Sequence, residues 1–183
     1  MTKTDLRRKL LARRDSLSFE KRVEYSIAIV DKLISTDEWH SSNSVMVYLS
    51  INSEVMTLPL LTKVIEFHKR LLIPKVSNGN IIPIEVVKKF RVASGFKNIL
   101  EPSDGVEYKD DIDLVIVPVV GFNEKCFRIG YGGGYYDRFL KKGRIKYKIG
   151  IAYECQKIDN DFSEEHDVKL DVVITEIGFY KCY

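Results

Sequence analysis

Residues 113–140 read DLVIVPVVGFNEKCFRIGYGGGYYDRFL, and they contain the most informative local pattern in the chain. Its first eight residues, Asp113 to Val120, are almost continuously apolar and rich in Val and Ile, which is typical of a strand buried on both faces. A glycine-rich segment follows, and then Gly134 to Lys142 has the composition of a helix. The order of strand, loop and helix is typical of an α/β protein.

The spacing of apolar residues predicts helices elsewhere in the chain. Between Ser18 and Ser35, apolar residues recur every three or four positions, as one face of an amphipathic helix requires, and Ser18 is a suitable N-cap. Shorter helices are predicted over about residues 4–13 and after Thr57. There Thr57 would act as the N-cap, and Pro59 fits the first turn.

Short apolar runs predict the remaining strands, namely Ser44–Leu49, Leu71–Val76, Ile81–Val87, Lys148–Ala152 and Asp171–Thr175. Because several runs are continuously apolar, a mostly parallel sheet covered by helices on both faces is indicated. We predict a single domain over residues 1–183, a three-layer α/β/α sandwich that is Rossmann-like but not of the dinucleotide-binding type. Ligands bind such sheets beyond the carboxyl ends of the strands, so a site is expected in the loops after Leu49, Val120 and Ala152.

The composition is that of an ordinary globular protein, with 45% hydrophobic and 30% charged residues. The net charge of +3, from 29 Lys and Arg against 26 Asp and Glu, comes without a basic block, so we expect no nucleic-acid partner. The 3 cysteines are widely spaced, which favours neither a zinc site nor a disulfide framework. No apolar run suits a signal peptide or a membrane span, so a cytoplasmic protein is predicted.

The glycine-rich segment that begins at Arg128 is the strongest functional signal. Four of the five residues from Gly130 to Gly134 are glycines, which lets backbone N–H groups converge on an anion at close range. The helix that follows adds the positive end of its dipole, and Arg128 can add a planar set of donors at the mouth of the loop. We therefore favour phosphate binding over a flexible surface turn.

Two standard nucleotide motifs are excluded by a single residue. A Walker A loop needs Lys and then Ser or Thr after its last glycine, but Tyr135 follows Gly134. The dinucleotide motif that would start at Gly130 needs glycine where Tyr135 stands. Asp137, in the first turn of the next helix, either caps that helix or holds Mg²⁺ beside a bound phosphate, and the residues alone leave both interpretations open.

Residues 117–140 closely resemble the signature of the 5-formyltetrahydrofolate cyclo-ligases, also called 5,10-methenyltetrahydrofolate synthetases. The shared core, from Arg128 to Leu140, is Arg-Ile-Gly-Tyr-Gly-x-Gly-Tyr-Tyr-Asp-Arg-Phe-Leu, and the order of features agrees along nearly the whole chain. The resemblance implies a ligase that cyclises 5-formyltetrahydrofolate to 5,10-methenyltetrahydrofolate and releases ADP and phosphate. Its co-substrate would be ATP and its metal Mg²⁺, and we expect a monomer.

The resemblance also assigns roles to individual residues. Arg128 and Tyr135 would be catalytic. ATP would be bound by Lys3, Arg7, Arg128, Ile129, Gly130, Tyr131, Gly132, Gly133, Gly134, Tyr135 and Tyr136. The folate would be bound by Arg7, Leu49, Glu54, Tyr131, Gly132, Gly133, Gly134 and Tyr135. The Glu54 carboxylate suits the N–H donors of the pterin ring, and Asp137 and Asp167 would hold Mg²⁺.

Two positions depart from the family pattern. Cys126 stands where glycine is usual in the turn before Arg128, and because Cys tolerates a positive φ poorly, we expect that turn to differ. Met56 replaces a usual acidic residue near Glu54. We expect His166 to cap or pack rather than to take part in catalysis.

The expected chemistry requires no nucleophile from the protein. ATP would phosphorylate the formyl oxygen, which is otherwise a poor leaving group, and positioning with charge stabilisation would supply the catalysis. Two other classes stay open on the residues alone. One is a small-molecule kinase on a similar sheet, and the other is a nucleotide- or RNA-binding module that uses the Arg- and Tyr-rich loop.

Overall fold

The computed structural model describes residues 2–87, 90–95, 100–159 and 161–182 of the chain. These residues form helices α1 (Lys3–Asp15), α2 (Phe19–Ile34), α3 (Asp37–His40), α4 (Leu58–Glu66) and α5 (Tyr135–Lys142). None of these helices is long and apolar enough to cross a membrane. The strands are β1 (Ser44–Met46), β2 (Arg70–Ser77), β3 (Asn80–Val86), β4 (Val92–Ser94), β5 (Leu100–Pro102), β6 (Val106–Glu107), β7 (Ile112–Pro118), β8 (Gly121–Phe122), β9 (Arg128–Ile129), β10 (Ile145–Ile151), β11 (Val172–Ile174) and β12 (Phe179–Lys181).

Eight of these strands form one sheet in the order β12-β11-β10-β7-β1-β2-β3-β6. The strands β11, β10, β7, β1 and β2 run parallel to one another, whereas β12 at one edge and β3 and β6 at the other are antiparallel to their neighbours. In the register of the central strand, Leu114 lies opposite Val45 on one side and opposite Tyr147 on the other. The predicted mostly parallel sheet is confirmed.

Helices cover both faces of this sheet. On one face, α2 and α4 bury Ile29 and Val64 in a cluster with Ile116 of β7. On the other face, α5 buries Leu140 in a cluster with Val115 and Val117. Successive side chains of β7 therefore enter opposite clusters, which explains why the strand is apolar from Leu114 onward. The predicted three-layer α/β/α arrangement is confirmed.

Helix α1 packs on the residues that follow β7. Leu6 and Leu10 form a cluster with Val120 and Ile129, and a side chain at position 121 would collide with Leu10, so Gly121 lets the helix approach closely. The helix begins with a capping box between Thr2 and Asp5. This packing places the amino-terminal residues beside the glycine-rich loop.

The loops after β1, β7 and β10 meet at the carboxyl end of the parallel strands, as predicted. The Tyr153 hydroxyl, after β10, donates to the Glu54 carbonyl, after β1, at 3.2 Å. The Gln156 amide donates to the carbonyls of Val119 and Val120, after β7, at 2.7 and 3.0 Å. A site built from these loops therefore draws on three neighbouring strands.

Thr57 precedes α4 as predicted, but its side chain makes no capping hydrogen bond. Its hydroxyl instead donates to the Tyr48 carbonyl at 2.7 Å and accepts from the Ser50 N–H at 3.1 Å. Because Thr57 satisfies these backbone groups, the chain can leave the sheet early, and β1 ends at Met46 rather than at Leu49. The result is an ordered loop over residues 47–57.

A disulfide joins Cys126 to Cys182, so the expectation that the cysteines form no disulfide is wrong. The two residues are 56 positions apart, and no local spacing could have signalled the pair. They meet because the Leu170 N–H donates to the Cys126 carbonyl and the Cys182 N–H donates to the carbonyl of Asp171, which lies next along the chain. Cys126 has φ 60°, so the backbone at this position is left-handed although the residue is not a glycine.

Candidate active site

The glycine loop connects β9 to α5. Gly132 and Gly134 have φ of 95° and 64°, a region that only glycine adopts without strain. A Cβ atom at Gly133 would come within 2.4 Å of the Tyr135 ring. The N-cap of α5 is Gly134 itself, which has no side chain to bond the first N–H groups of the helix. The loop thus presents bare backbone and a helix N-terminus whose N-cap residue has no side chain.

An open cavity of about 400 Å³ lies against this loop. It is lined by Gly132, Gly133, Gly134, Asp137, Arg138, Lys141 and His166. Two of the lining side chains are cationic, and the helix dipole of α5 adds positive potential at the same place. Arg138 is fixed there by donating to the carbonyls of Gly133 and Gly79, each at 3.0 Å. The cavity therefore suits an anionic group.

Arg7 reaches the loop from α1. Its Nε donates to the Gly130 carbonyl at 2.7 Å, and a Cβ atom at Gly132 would lie 3.3 Å from its guanidinium carbon. One turn earlier, the Lys3 ammonium pairs with Asp167 at 2.6 Å and with Glu164 at 3.1 Å. The structure therefore brings both predicted amino-terminal cations to the site.

Arg128 is buried and not at the mouth of the loop, where we expected it. Only 5% of the residue is exposed, and its guanidinium pairs with the Asp137 carboxylate at 3.0 Å. It also donates to the Val168 carbonyl at 3.0 Å, while the Val168 N–H donates to Asp137 at 3.1 Å. Burial lowers the pKa of Arg128, and Asp137 opposes that shift. The pair locks α5 to the segment that carries Asp167.

Asp167 is partly buried and forms a small cluster with the exposed Glu164 and His166, and the ligand atoms of the three residues all lie within 4.8 Å of one another. The Asp167 carboxylate also accepts from the Glu164 N–H at 2.8 Å. His166 neither caps nor packs, contrary to our expectation. Its imidazole is 70% exposed and lies 3.3 Å from Glu164. Carboxylate oxygens of this kind are the ligands that Mg²⁺ prefers, whereas imidazole is not.

Glu54 is buried in the loop after β1 and is tied to the glycine loop. It is 5% exposed, and one carboxylate oxygen accepts from the Tyr131 hydroxyl at 2.8 Å. The other oxygen accepts from the Ile51 N–H at 2.9 Å. Burial raises the pKa of Glu54, and the hydrogen bonds from Ile51 and Tyr131 and the charge of Arg14 oppose this. The Glu54 carboxylate is therefore fixed in place by two donors and largely shielded from water.

The other predicted residues occupy different surroundings. Ile129 points into the cluster under α1, so only its backbone faces the loop. The Tyr135 ring lies under the Arg138 guanidinium at 5.0 Å. The Tyr136 hydroxyl is buried with no hydrogen-bond partner among the described residues, and burial raises its pKa. Leu49 is half-buried at the edge of the core under α2 and α4.

Arg14 is a residue of this site that our reading of the sequence missed. Its guanidinium donates to the Tyr131 hydroxyl at 2.9 Å and to the Ser53 hydroxyl at 2.9 Å. A signal was present, because Lys3, Arg7 and Arg14 recur at helical spacing on one side of α1. Glu164 was also missed, and only its position near Asp167 in the sequence could have indicated it.

Comparison with known proteins gives consistent results. The model of the 5-formyltetrahydrofolate cyclo-ligase family matches residues 1–176. The Mycoplasma pneumoniae 5-formyltetrahydrofolate cyclo-ligase is 32% identical over 181 residues, covering 96% of this chain and 99% of that protein. The mouse enzyme of the same name is 28% identical, covering 95% and 93%. The NMR structure of Aquifex aeolicus 5,10-methenyltetrahydrofolate synthetase superposes with a TM-score of 0.89 at 35% identity, covering 100% of this chain and 93% of that one.

Proposed function

This chain belongs to the 5-formyltetrahydrofolate cyclo-ligase family, and from that premise we propose that it cyclises 5-formyltetrahydrofolate to 5,10-methenyltetrahydrofolate with ATP as co-substrate. One observation carries the proposal for the site. In the glycine loop, Gly132 to Gly134 line the cavity that suits an anion, while the hydroxyl of Tyr131 donates to the buried Glu54. A phosphate chain and a ring with N–H donors can therefore meet at one loop.

The chemistry explains why two ligands have to meet there. The formyl oxygen on N5 would have to leave as hydroxide, which is a very poor leaving group. Transfer of the γ-phosphoryl group of ATP to this oxygen gives ADP and a formyl phosphate adduct. The N10 nitrogen then attacks the formyl carbon, closes the ring and loses its proton, and inorganic phosphate departs. Positioning and charge stabilisation are the main requirements of such a transfer.

The residues of the loop and of α1 would supply that stabilisation. We propose that the amides of Gly130 to Gly134 and the N-terminus of α5 bind the triphosphate, with Lys3 and Arg7 adding positive charge. Arg128 stabilises the charge of the transferring group from its buried position, and Tyr135 orients the reactants across the loop. Glu54, with Leu49 at its side, holds the pterin.

The carboxylates near the cavity fit Mg²⁺. Asp137 lines the cavity, and Asp167 is linked to it because Arg128 and Asp137 both bond the backbone of the adjoining Val168. Hard oxygen ligands of this kind suit Mg²⁺, and Glu164 offers a further one. We propose that Asp137 and Asp167 hold the ion, which would neutralise charge on the phosphates. Lys3 then serves as the counter-charge of Asp167 when no ion is bound.

A turnover assay tests the proposed function. The purified chain is incubated with 5-formyltetrahydrofolate, ATP and Mg²⁺, and the near-ultraviolet absorbance of methenyltetrahydrofolate is followed. We expect the absorbance to rise only when all three are present, with ADP formed in equal amount. ADP formation without the absorbance would favour a kinase acting on another substrate. The absence of both signals would contradict the proposal.

Two further expectations belong to this proposal. We propose a monomer, because residues of α1, the loop after β1, the glycine loop and the segment 164–168 form the site within one chain. The cytoplasmic location also stays a prediction, and the Cys126–Cys182 disulfide bears against it, since disulfides are rare in reducing compartments.

A further inference from the structure

Arg14, in the last turn of α1, is more deeply buried than is usual for an arginine. Only 2% of the residue is exposed, although arginines are almost never fully buried unless they are paired. Its recorded hydrogen bonds go to two hydroxyls, those of Ser53 and Tyr131. The remaining nitrogen, Nη1, is buried and has no hydrogen-bond partner among the described residues. Burying a cation in this way is costly, so a compensating role is expected.

Each of these two hydroxyls in turn donates a hydrogen bond to a carboxylate. The Tyr131 hydroxyl donates to Glu54 at 2.8 Å, and the Ser53 hydroxyl donates to Asp15. A guanidinium can only donate hydrogen bonds. The Tyr131 oxygen therefore has to accept from Arg14, and its one proton has to point at Glu54. Arg14 thus decides the direction of the hydrogen bond that holds Glu54.

We propose that Arg14 is a positioning residue that acts through the Tyr131 hydroxyl to hold Glu54 as a fixed anionic acceptor for the N–H donors of the pterin. This inference rests on the proposed function, because it takes the ligand of Glu54 to be the folate. The role assigned to Arg14 is indirect, since it contacts Tyr131 and not the substrate. Its effect should therefore be confined to folate binding and leave ATP binding alone.

The charged and titratable groups that face Glu54 support this role. They come from four elements, namely Arg14 on α1, Tyr48 after β1, Tyr131 in the glycine loop and Tyr136 on α5. Of these four, only Arg14 carries a charge at neutral pH, because burial raises the pKa of all three tyrosines. Burial also raises the pKa of Glu54, and the positive charge of Arg14 opposes it. Without Arg14, Glu54 would take up a proton at a higher pH and lose its function as an acceptor.

The test compares the variants Arg14→Met and Arg14→Lys, with and without Tyr131→Phe. We expect Arg14→Met to raise the folate KM about tenfold or more, as the loss of a charge-assisted hydrogen bond network implies. The ATP KM should stay within about twofold. The rise should be larger at lower pH, and Arg14→Lys should restore part of the affinity. In the Tyr131→Phe background, Arg14→Met should have a smaller effect than in the wild type, because the hydrogen bond through Tyr131 is already lost and only the direct effect of the Arg14 charge on Glu54 remains.

Arg13→Met is the matched control, because Arg13 is the exposed neighbour on the same helix. Its folate KM should equal that of the wild type. The inference is overturned if the Arg14 and Tyr131 effects are additive, if the ATP KM rises as much as the folate KM, or if the folded fraction of Arg14→Met binds folate normally. Wild-type protein that gives no absorbance change would instead contradict the proposed function. In that case the same variants are titrated with 5-formyltetrahydrofolate by calorimetry, and equal Kd values or no binding would overturn the inference.

Discussion

Glu54 shows how a single residue in this fold acquires a chemical role. An exposed glutamate accepts hydrogen bonds from water and discriminates little between ligands. Here the loop after β1 buries the carboxylate, and two donors, from Ile51 and Tyr131, fix its oxygens. The lone pairs that remain are therefore directed and poorly hydrated, which is what selective recognition of N–H groups requires.

Glu54→Gln should raise the folate KM about 10- to 100-fold, because a hydrogen bond to a charged group contributes about 1.5–3 kcal/mol. The ATP KM should change much less. In the wild type, folate binding should weaken as the pH falls, and at a higher pH than for an exposed glutamate, because burial raises the pKa of Glu54. Initial rates across a pH series measure both effects. The exposed Glu66→Gln is the control, and an unchanged folate KM in Glu54→Gln would remove Glu54 from the site.

Asp137→Asn should lower kcat by about a hundredfold or more, because it removes a proposed Mg²⁺ ligand while keeping the shape of the side chain. A loss of stability is also expected, since the buried Arg128 guanidinium loses its counter-charge. Breaking a fully buried pair costs about 3–5 kcal/mol, and Asp137 is partly exposed, so we expect roughly 1–3 kcal/mol. Turnover at saturating Mg²⁺ and thermal melting separate the two effects. Asp161→Asn, on the exposed surface, should leave turnover unchanged, whereas wild-type turnover in Asp137→Asn would contradict the metal assignment.

For single residues, the sequence predicted which ones lie in the candidate site better than it predicted their burial and their partners. The structure brings Arg7 and Asp137 to the glycine loop, as the resemblance to the family predicted, whereas Lys3 pairs with Asp167 and Glu164. It was not predictable that Arg128 is buried, because its burial depends on a carbonyl 40 positions away. Arg14 was missed for a similar reason, since Ser53 and Tyr131, its two partners, are distant in the sequence.

Among the elements, the glycine loop carries the strongest functional constraint. Its two left-handed glycines direct the chain so that α5 begins with its N-terminus at the cavity. An added side chain at either position would both strain the backbone and reduce the room for a phosphate. The short helix contributes only eight residues, so its position depends on this loop and on the Arg128–Asp137 pair.

Gly134→Ala should raise the ATP KM by about tenfold or more and lower stability by about 1 kcal/mol, because alanine disfavours the left-handed conformation. Gly79→Ala is the matched control, because Gly79 has a similar φ of 75° and open space around it, and the substitution keeps the carbonyl that accepts from Arg138. It should lose similar stability and keep the ATP KM. Equal ATP KM values in the two variants would show that the conformation of Gly134 is not used for nucleotide binding.

The disulfide connects the turn before β9 to the end of β12, and it closes a segment of 56 positions. Reduction of the purified protein should therefore lower the free energy of unfolding by about 2–4 kcal/mol. Denaturant unfolding with and without a reductant measures this. Cys182→Ser should be insensitive to the reductant, while Cys155→Ser, which changes the free cysteine, should stay sensitive. Identical unfolding curves of the wild type under both conditions would contradict this account.

Elements with a strong local pattern were predictable and the others were not. The buried strand β7 is an almost continuous apolar run, β2 and β10 each contain a shorter buried run, and α2 has a clear periodicity and a capping serine. The strands β8, β9 and β12 have two or three residues each, too few for any period to show. Their pairing depends on tertiary contacts, as does the disulfide that links two of these regions.

At the scale of the whole molecule, the order of the strands explains why one site forms. The parallel strands β1, β7 and β10 are neighbours, so the loops that follow them converge at one end of the sheet. Helix α1 then covers this end and contributes its cations to the glycine loop. The mostly parallel sheet with helices on both faces was predictable from the alternation of strands and helices. The order of the strands and the antiparallel edges were not predicted, because an edge strand has the same local pattern in either direction.

A structure of the protein with Mg²⁺ and a non-hydrolysable ATP analogue shows whether the glycine loop binds the nucleotide. We predict that the triphosphate lies on the amides of Gly130 to Gly134 at hydrogen-bonding distance, with Mg²⁺ on Asp137 and with Arg7 and Lys3 beside the phosphates. Asp167 should then exchange its contact with Lys3 for the metal. A triphosphate bound elsewhere, away from this loop and from the N-terminus of α5, would contradict the account.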